Sequence, residues 1–175
     1  MTQEPQPQPS EQLRRFLNDL SHIWVAYAFF EEQIPRGVAL PHRVGSIEFP
    51  QEAHIRSVEI ELGWAFFARL EACLETHLHR IGVDARGNEG LLNALERRGI
   101  AIPDHYRAGL EAYRAIRNAL HHGDGDPHVI RNPGPLAVGI DRGNEVHLLR
   151  DQVEAFYCLF CWAAEQLDTP PRAAR

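Results

Sequence analysis

A chain of 175 residues with 44% apolar content has enough hydrophobic surface for one real core and too little length for two comfortable domains. Its formal charge of −6 excludes a broad electrostatic footprint for duplex nucleic acid, because non-specific affinity there comes from neutralising phosphates. Lysine is absent, so every basic residue is arginine, and Schiff-base and P-loop lysine chemistry are excluded with it.

The opening MTQEPQPQPS has neither a basic n-region nor an apolar h-region, and no apolar run is long enough to span a bilayer. Residues 1–9 and 169–175 are expected to be loosely attached tails around one helical domain, 10–168. Within it, Leu13, Phe16, Leu17, Leu20, Ile23, Trp24, Tyr27, Phe30 and Ile34 recur at helical spacing and predict a helix over 10–33, ended by Pro35 and Gly37. Pro41, Gly45 and Pro50 predict a loop. The stripe Ile55, Val58, Leu62, Phe66, Leu70, Cys73, Leu74 and Leu78 predicts a second long helix closing at Gly82.

A short third helix is expected over 89–98. Asp104 is the candidate N-cap of the fourth, whose apolar stripe is Tyr106, Leu110, Tyr113, Ile116 and Leu120 and whose stop is Gly123. LAVGIDRGNEVHLL reads as two short strands about a Gly-Asn turn, and Val153, Phe156, Tyr157, Phe160, Cys161, Ala164 and Leu167 mark the last helix. The expected class is all-α, an antiparallel four- to five-helix bundle with a small β-hairpin before the final helix.

Three cysteines, Cys73, Cys158 and Cys161, cannot form the disulfide framework of a small secreted scaffold, so a cytoplasmic protein is expected. The CLFC pair lies inside the apolar run AFYCLFCWAA, and a zinc site would need two more ligands, so core packing is the expected role. His77 and His79, two apart on a helix, point to different sides and make no metal pair. Neither a metal nor a cofactor is expected.

The chemistry-bearing segment is YRAIRNALHHGDGD at the end of the fourth helix. An arginine followed, after four to six residues, by a histidine also occurs at Arg15/His22, Arg36/His42, Arg98/His105, Arg114/His121 and Arg142/His147. Arg117/His122 is set apart by the amide of Asn118, the last turn of an amphipathic helix, and the glycine that ends it. The segment resembles the HEPN superfamily of helical-bundle proteins, whose ribonuclease members carry an arginine, four to six residues, then a histidine, often with a polar residue directly after the arginine. The preceding helix, with WAFFARLEACLETHL, is similar to the one that pairs with the motif helix there, and the resemblance spans about residues 55–168.

The resemblance implies a metal-independent endoribonuclease, homodimeric, with a toxin or phage-defence role and an antitoxin or regulatory protein as partner. Arg117 would hold phosphate bidentately, His122 would transfer protons at a ribose 2′-hydroxyl and the departing oxygen, and Asn118 would orient. Arg114 and His121 would contact the RNA. Some family members carry a tyrosine shortly after the histidine, where this chain has GDGD; these acids would repel an RNA backbone, and of the two other roles open to Asp124 and Asp126, binding a cation or making the turn, the turn is the expected one.

Two physical points stand beside that reading. Five residues on a regular helix turn through about 500°, so Arg117 and His122 lie about 140° apart, whereas Arg114, Asn118 and His122 form an i, i+4, i+8 row. Basic residues at a helix C-terminus also interact favourably with its dipole, which accounts for Arg117 and His122 without catalysis. Glu71 and Glu75 are candidates for steering Arg117, although solvation is the commoner fate of such carboxylates. The alternative function is a non-catalytic HEPN-like module that binds a nucleotide or a protein.

Overall fold

The first helix, α1 (Glu11–Glu32), begins where Ser10 Oγ accepts the Leu13 N–H at 3.0 Å, satisfying one donor that the first turn leaves without an intrahelical partner. The computed structural model describes residues 9–83, 90–122, 139–140 and 146–168, with side chains for all of these except 118–122, 139–140 and 146. The expected tails, apart from Pro9, the Gly123 stop, Asp124, Asp126 and the turn of the second hairpin lie outside the described residues.

Ser10 also joins the two ends of the domain. Its N–H and hydroxyl donate to the Asp168 carboxylate at 3.0 and 2.5 Å, closing α1 onto the last residue of the final helix. Ser10→Ala removes the cap and one of these bonds. It should cost about 1 kcal/mol, read as a melting temperature a few degrees lower; an unchanged melt would show that the cap is replaced by water without loss.

The segment expected to be a loop after α1 instead contains a hairpin, β1 (His42–Val44) against β2 (Ile47–Phe49), antiparallel with Val44 opposite Ile47. Its strands are too short for apolar alternation to register. What holds it is non-local: Phe49 is buried with Ile34 and Ile55 in a small apolar cluster apart from the main core.

Next comes α2 (Glu52–Arg80), the longest element. It closes as its sequence implies, with Val83 N–H bonded to the Leu78 carbonyl, Gly82 N–H to that of His79, and Gly82 at φ 70°, a Schellman stop in which glycine adopts the left-handed conformation without a Cβ clash. Short α3 (Gly90–Arg97) leads into α4 (Asp104–His122). Asp104 is the first helical residue here, and the Pro103 carbonyl accepts the first bonds, a shift of one residue from the expected cap. Strands β3 (Gly139–Ile140) and β4 (Val146–His147) form the expected second hairpin. The last helix is α5 (Arg150–Asp168), where Gln152 Oε1 reaches back to the Leu149 N–H at 3.0 Å, half of a capping box.

The result is an all-α bundle with small hairpins. Phe16 of α1 meets His77 of α2 while Tyr27 meets Phe66, so these helices run antiparallel. Phe67, fully buried, is the hub of an aromatic cluster with Tyr113 of α4 and Phe156 and Phe160 of α5. Offset and edge-on ring packing of this kind adds roughly 0.5–1.5 kcal/mol per pair beyond area burial. Buried Gly63 of α2 sits directly under the Leu148 carbonyl, so the chain entering α5 passes where any side chain would stand.

Two buried polar groups also shape the bundle. Glu31, at the end of α1, pairs with Arg36 and with Arg150 Nη1 at 2.9 Å, while Arg36 Nε reaches Glu59 at 2.8 Å, tying α1 to α2 and α5. Burial, and then the Glu31 charge, push the neighbouring Tyr27 hydroxyl up to about 12. His77 is 2% exposed and stacks on Phe16 with ring centroids 4.5 Å apart.

Burial holds the His77 pKa below the ordinary 6.5; Asp168 works against that shift and Arg80 with it. Well above pH 6.5 the ring is neutral folded or unfolded, so it adds no pH dependence to stability there. Below that value the unfolded chain takes the proton first, so stability should fall as pH falls. Urea midpoints between pH 7.5 and 5.5 should decline in the native protein and decline less in His77→Phe; equal slopes would assign the effect to other groups.

Cys158 departs from expectation. The buried face of α5 runs through Val153, Phe156, Phe160, Ala163 and Leu167, which turns Cys158 outward, while Cys73 and Cys161 are half-buried. Among the described residues no His, Cys, Asp or Glu group could hold a metal, and no helix is long and apolar enough to cross a membrane.

Candidate functional site

Arg117 lies on α4 facing α2, one turn after the buried Tyr113 and next to fully buried Ile116. Its Nε donates to Glu71 Oε1 at 2.9 Å and its Nη2 to Glu75 Oε1 at 2.5 Å. The two carboxylates are four residues apart on α2 and so share a face of that helix, which lets one guanidinium bridge both.

The environments of the three groups differ. The Glu71 side chain is 3% exposed, Arg117 21% and Glu75 43%. A carboxylate as enclosed as Glu71 needs partners, since desolvation of a buried charge costs several kcal/mol unless it is compensated. Arg117 supplies one, and the Tyr113 hydroxyl a second through its hydrogen bond to Glu71. Burial, then the Glu71 charge, push the Tyr113 hydroxyl far above the ordinary phenol range, so it remains a donor. For Arg117, burial works against the charge, but Tyr113, Glu75 and Glu71 outweigh it and raise the pKa.

The arrangement is a polar tie between α2 and α4. One cation faces two anions, leaving a local charge of about −1. Used this way, the Nε/Nη2 edge of the guanidinium is filled, while among the described residues nothing is bonded to Nη1. The carboxylates orient Arg117 rigidly, and they also cancel the field it would offer to a phosphate at comparable distance.

The remaining sequence-derived residues are only partly placed. Asn118, His121 and His122 all fall within α4, so the Arg-Asn-x-x-x-His segment is carried on one continuous helix, and their side chains lie outside the described residues. Arg114 is exposed on the same helix. The structure therefore brings Arg117 together with Glu71 and Glu75, whose solvation was the commoner expectation.

The partnership of Tyr113 with Glu71 was missed. A signal existed, since Glu71 falls inside the run Phe67, Leu70, Glu71, Leu74 that α2 buries, and a carboxylate in such a stripe requires a cation or donor opposite. His77, buried in the same helix, was likewise not read as a core residue.

The class so defined is an all-α bundle with an ion-paired arginine at the end of its fourth helix. Compared with known proteins, the chain matches no family model, no curated protein and no solved structure.

Proposed function

We propose that this chain is a non-catalytic HEPN-like helical module that acts as a homodimer by binding a protein partner. The observation that carries this reading is the double ion pair on Arg117. A guanidinium answered by two carboxylates, one of them 3% exposed, makes a strong helix-to-helix strut and a poor phosphate clamp. Large apolar side chains on the outside of α1 and the first hairpin, Val25, Phe29 and Ile47, each more than half exposed, favour contact with another protein.

The second reading is the metal-independent HEPN-type endoribonuclease of a toxin or phage-defence system, with an antitoxin or regulatory protein as its control. It is favoured by the exposed end of Arg117. Glu75 is 43% exposed, and a surface pair of that kind contributes at most about 1 kcal/mol, so an incoming phosphate would displace it cheaply. Arg117 would then hold phosphate and His122 transfer protons, with Asn118 orienting and Arg114 and His121 contacting RNA.

Incubation of the full chain with RNA in EDTA separates the two. Native protein, Arg117→Ala and His122→Ala are compared for products with cyclic-phosphate ends, alongside sedimentation for the dimer. The expected result is a dimer with no such product from any of the three. Cleavage by native protein that disappears in His122→Ala would overturn the binding reading and establish the nuclease.

A further inference from the structure

On the side of α2 away from Arg117, a cleft of about 340 Å³ opens against α1. Cys73 lines it and lies two residues from Glu71 and from Glu75, about 200° around the helix, so the cleft is independent of the α2–α4 ion pair. Its volume falls in the range of small-molecule sites, roughly 300–1,000 Å³.

Three features give it a chemistry. The first is His77, which lines the cleft, is 2% exposed, and has no hydrogen-bond partner for Nε2 among the described residues. A buried polar atom left unsatisfied costs about 1–3 kcal/mol, which a ligand supplying the missing bond would recover. The second is charge. Arg69 and Arg80 stand at the two ends of the α2 wall, eleven residues or about 16 Å apart along the helix, against Asp19 of α1 in the lining and Asp168, whose charge reaches His77. Among the described residues neither arginine is in an ion pair; Arg69 lies over the Phe66 ring, which leaves Arg80 the freer cation. The third is the apolar wall of Phe16, its ring stacked on His77.

Covalent chemistry is not part of the site. Burial, reinforced by Asp19, pushes the Cys73 thiol up to about 11, so it presents a neutral, polarisable surface and no thiolate.

We propose that the α1–α2 cleft binds a small aromatic acid, whose anionic group meets Arg80, whose ring lies along the apolar wall, and whose hydroxyl supplies the missing partner of His77 Nε2. The anion is a carboxylate or a phosphomonoester, and the two are distinguished by experiment.

The full chain, carrying ¹³C-labelled histidine, is titrated with 4-hydroxyphenylacetate, with 4-hydroxyphenyl phosphate and with the neutral 4-hydroxyphenylacetamide while the His77 Cε1–H resonance is followed by NMR. At least one acid should shift it saturably. The neutral amide should bind about tenfold more weakly or worse, and Arg80→Gln should weaken the acid by a similar factor while leaving the melting temperature unchanged. Saturation by one acid alone assigns that anion class. Absence of saturable shifts with both acids, equal binding of the neutral amide, or undiminished binding by Arg80→Gln overturns the proposal.

Discussion

Gly63→Ala should be the most damaging single-methyl change in this protein. At an ordinary interior position of a helix, alanine for glycine is stabilising by about 1 kcal/mol, because glycine has the greater chain entropy to lose. Here the added Cβ would stand 1.6 Å from the Leu148 carbonyl oxygen and 2.7 Å from its carbon. Both are backbone atoms, so no rotamer change relieves the overlap. The chain entering α5 must move away from α2, and with it Leu148, itself fully buried, and the start of a helix whose Val153 and Phe156 fill the core.

The expected loss is roughly 3 kcal/mol or more, at the top of the range for overpacking. At about 2–4 °C per kcal/mol for a chain of this size, that means a melting temperature lower by roughly 10 °C. A Gly63→Ala protein that melts at or above the native temperature would show that α2 and the segment entering α5 are not in this contact.

Arg117→Ala should come next, and for an electrostatic reason. The substitution takes from Glu71, 3% exposed, the guanidinium paired with it and leaves the bond from Tyr113 in place. Removing one member of a buried ion pair typically costs about 3–5 kcal/mol; the 21% exposure of the Arg117 side chain places the loss near the lower end. Urea denaturation measures it directly. Adding Glu71→Gln to Arg117→Ala removes the uncompensated charge, so the double variant should be more stable than the single one by about 0.5–3 kcal/mol. If the double variant is weaker still, Glu71 is stabilised by something other than Arg117. The same loss makes His122→Ala the cleaner probe in the RNA assay, because loss of activity in Arg117→Ala alone would report folding as much as chemistry.

Legibility varied with the range of the interaction. The long helices could be read from spacing alone, because an amphipathic stripe repeats over many turns and each repeat reinforces the period. The stops at Gln33 and Gly82 were legible for a related reason, since Pro35, Gly37 and Gly82 act on their own backbone. The hairpin of residues 42–49 was hidden behind Pro41, Gly45 and Pro50, which mark a loop equally well; Phe49 is buried only because Ile34 and Ile55 converge on it. Val58 belongs to the apolar stripe by spacing and is nonetheless 40% exposed, while Gly63, Glu71 and His77, which hydropathy would place outside, are buried.

The candidate site divides along the same line. Residues 117–122 were singled out by their order and by their place at the end of a predicted helix, and α4 does carry them through His122. Whether Arg117 is available to a ligand depends on residues 46 and 42 positions earlier, and no local pattern encodes that distance. Helix formation is governed by neighbours three and four residues away, so a single chain read in order contains it. The environment of a charge is governed by whatever packing brings within a few ångströms, and here only the packing of α2 against α4 turned an arginine that could have faced solvent into one held between two carboxylates.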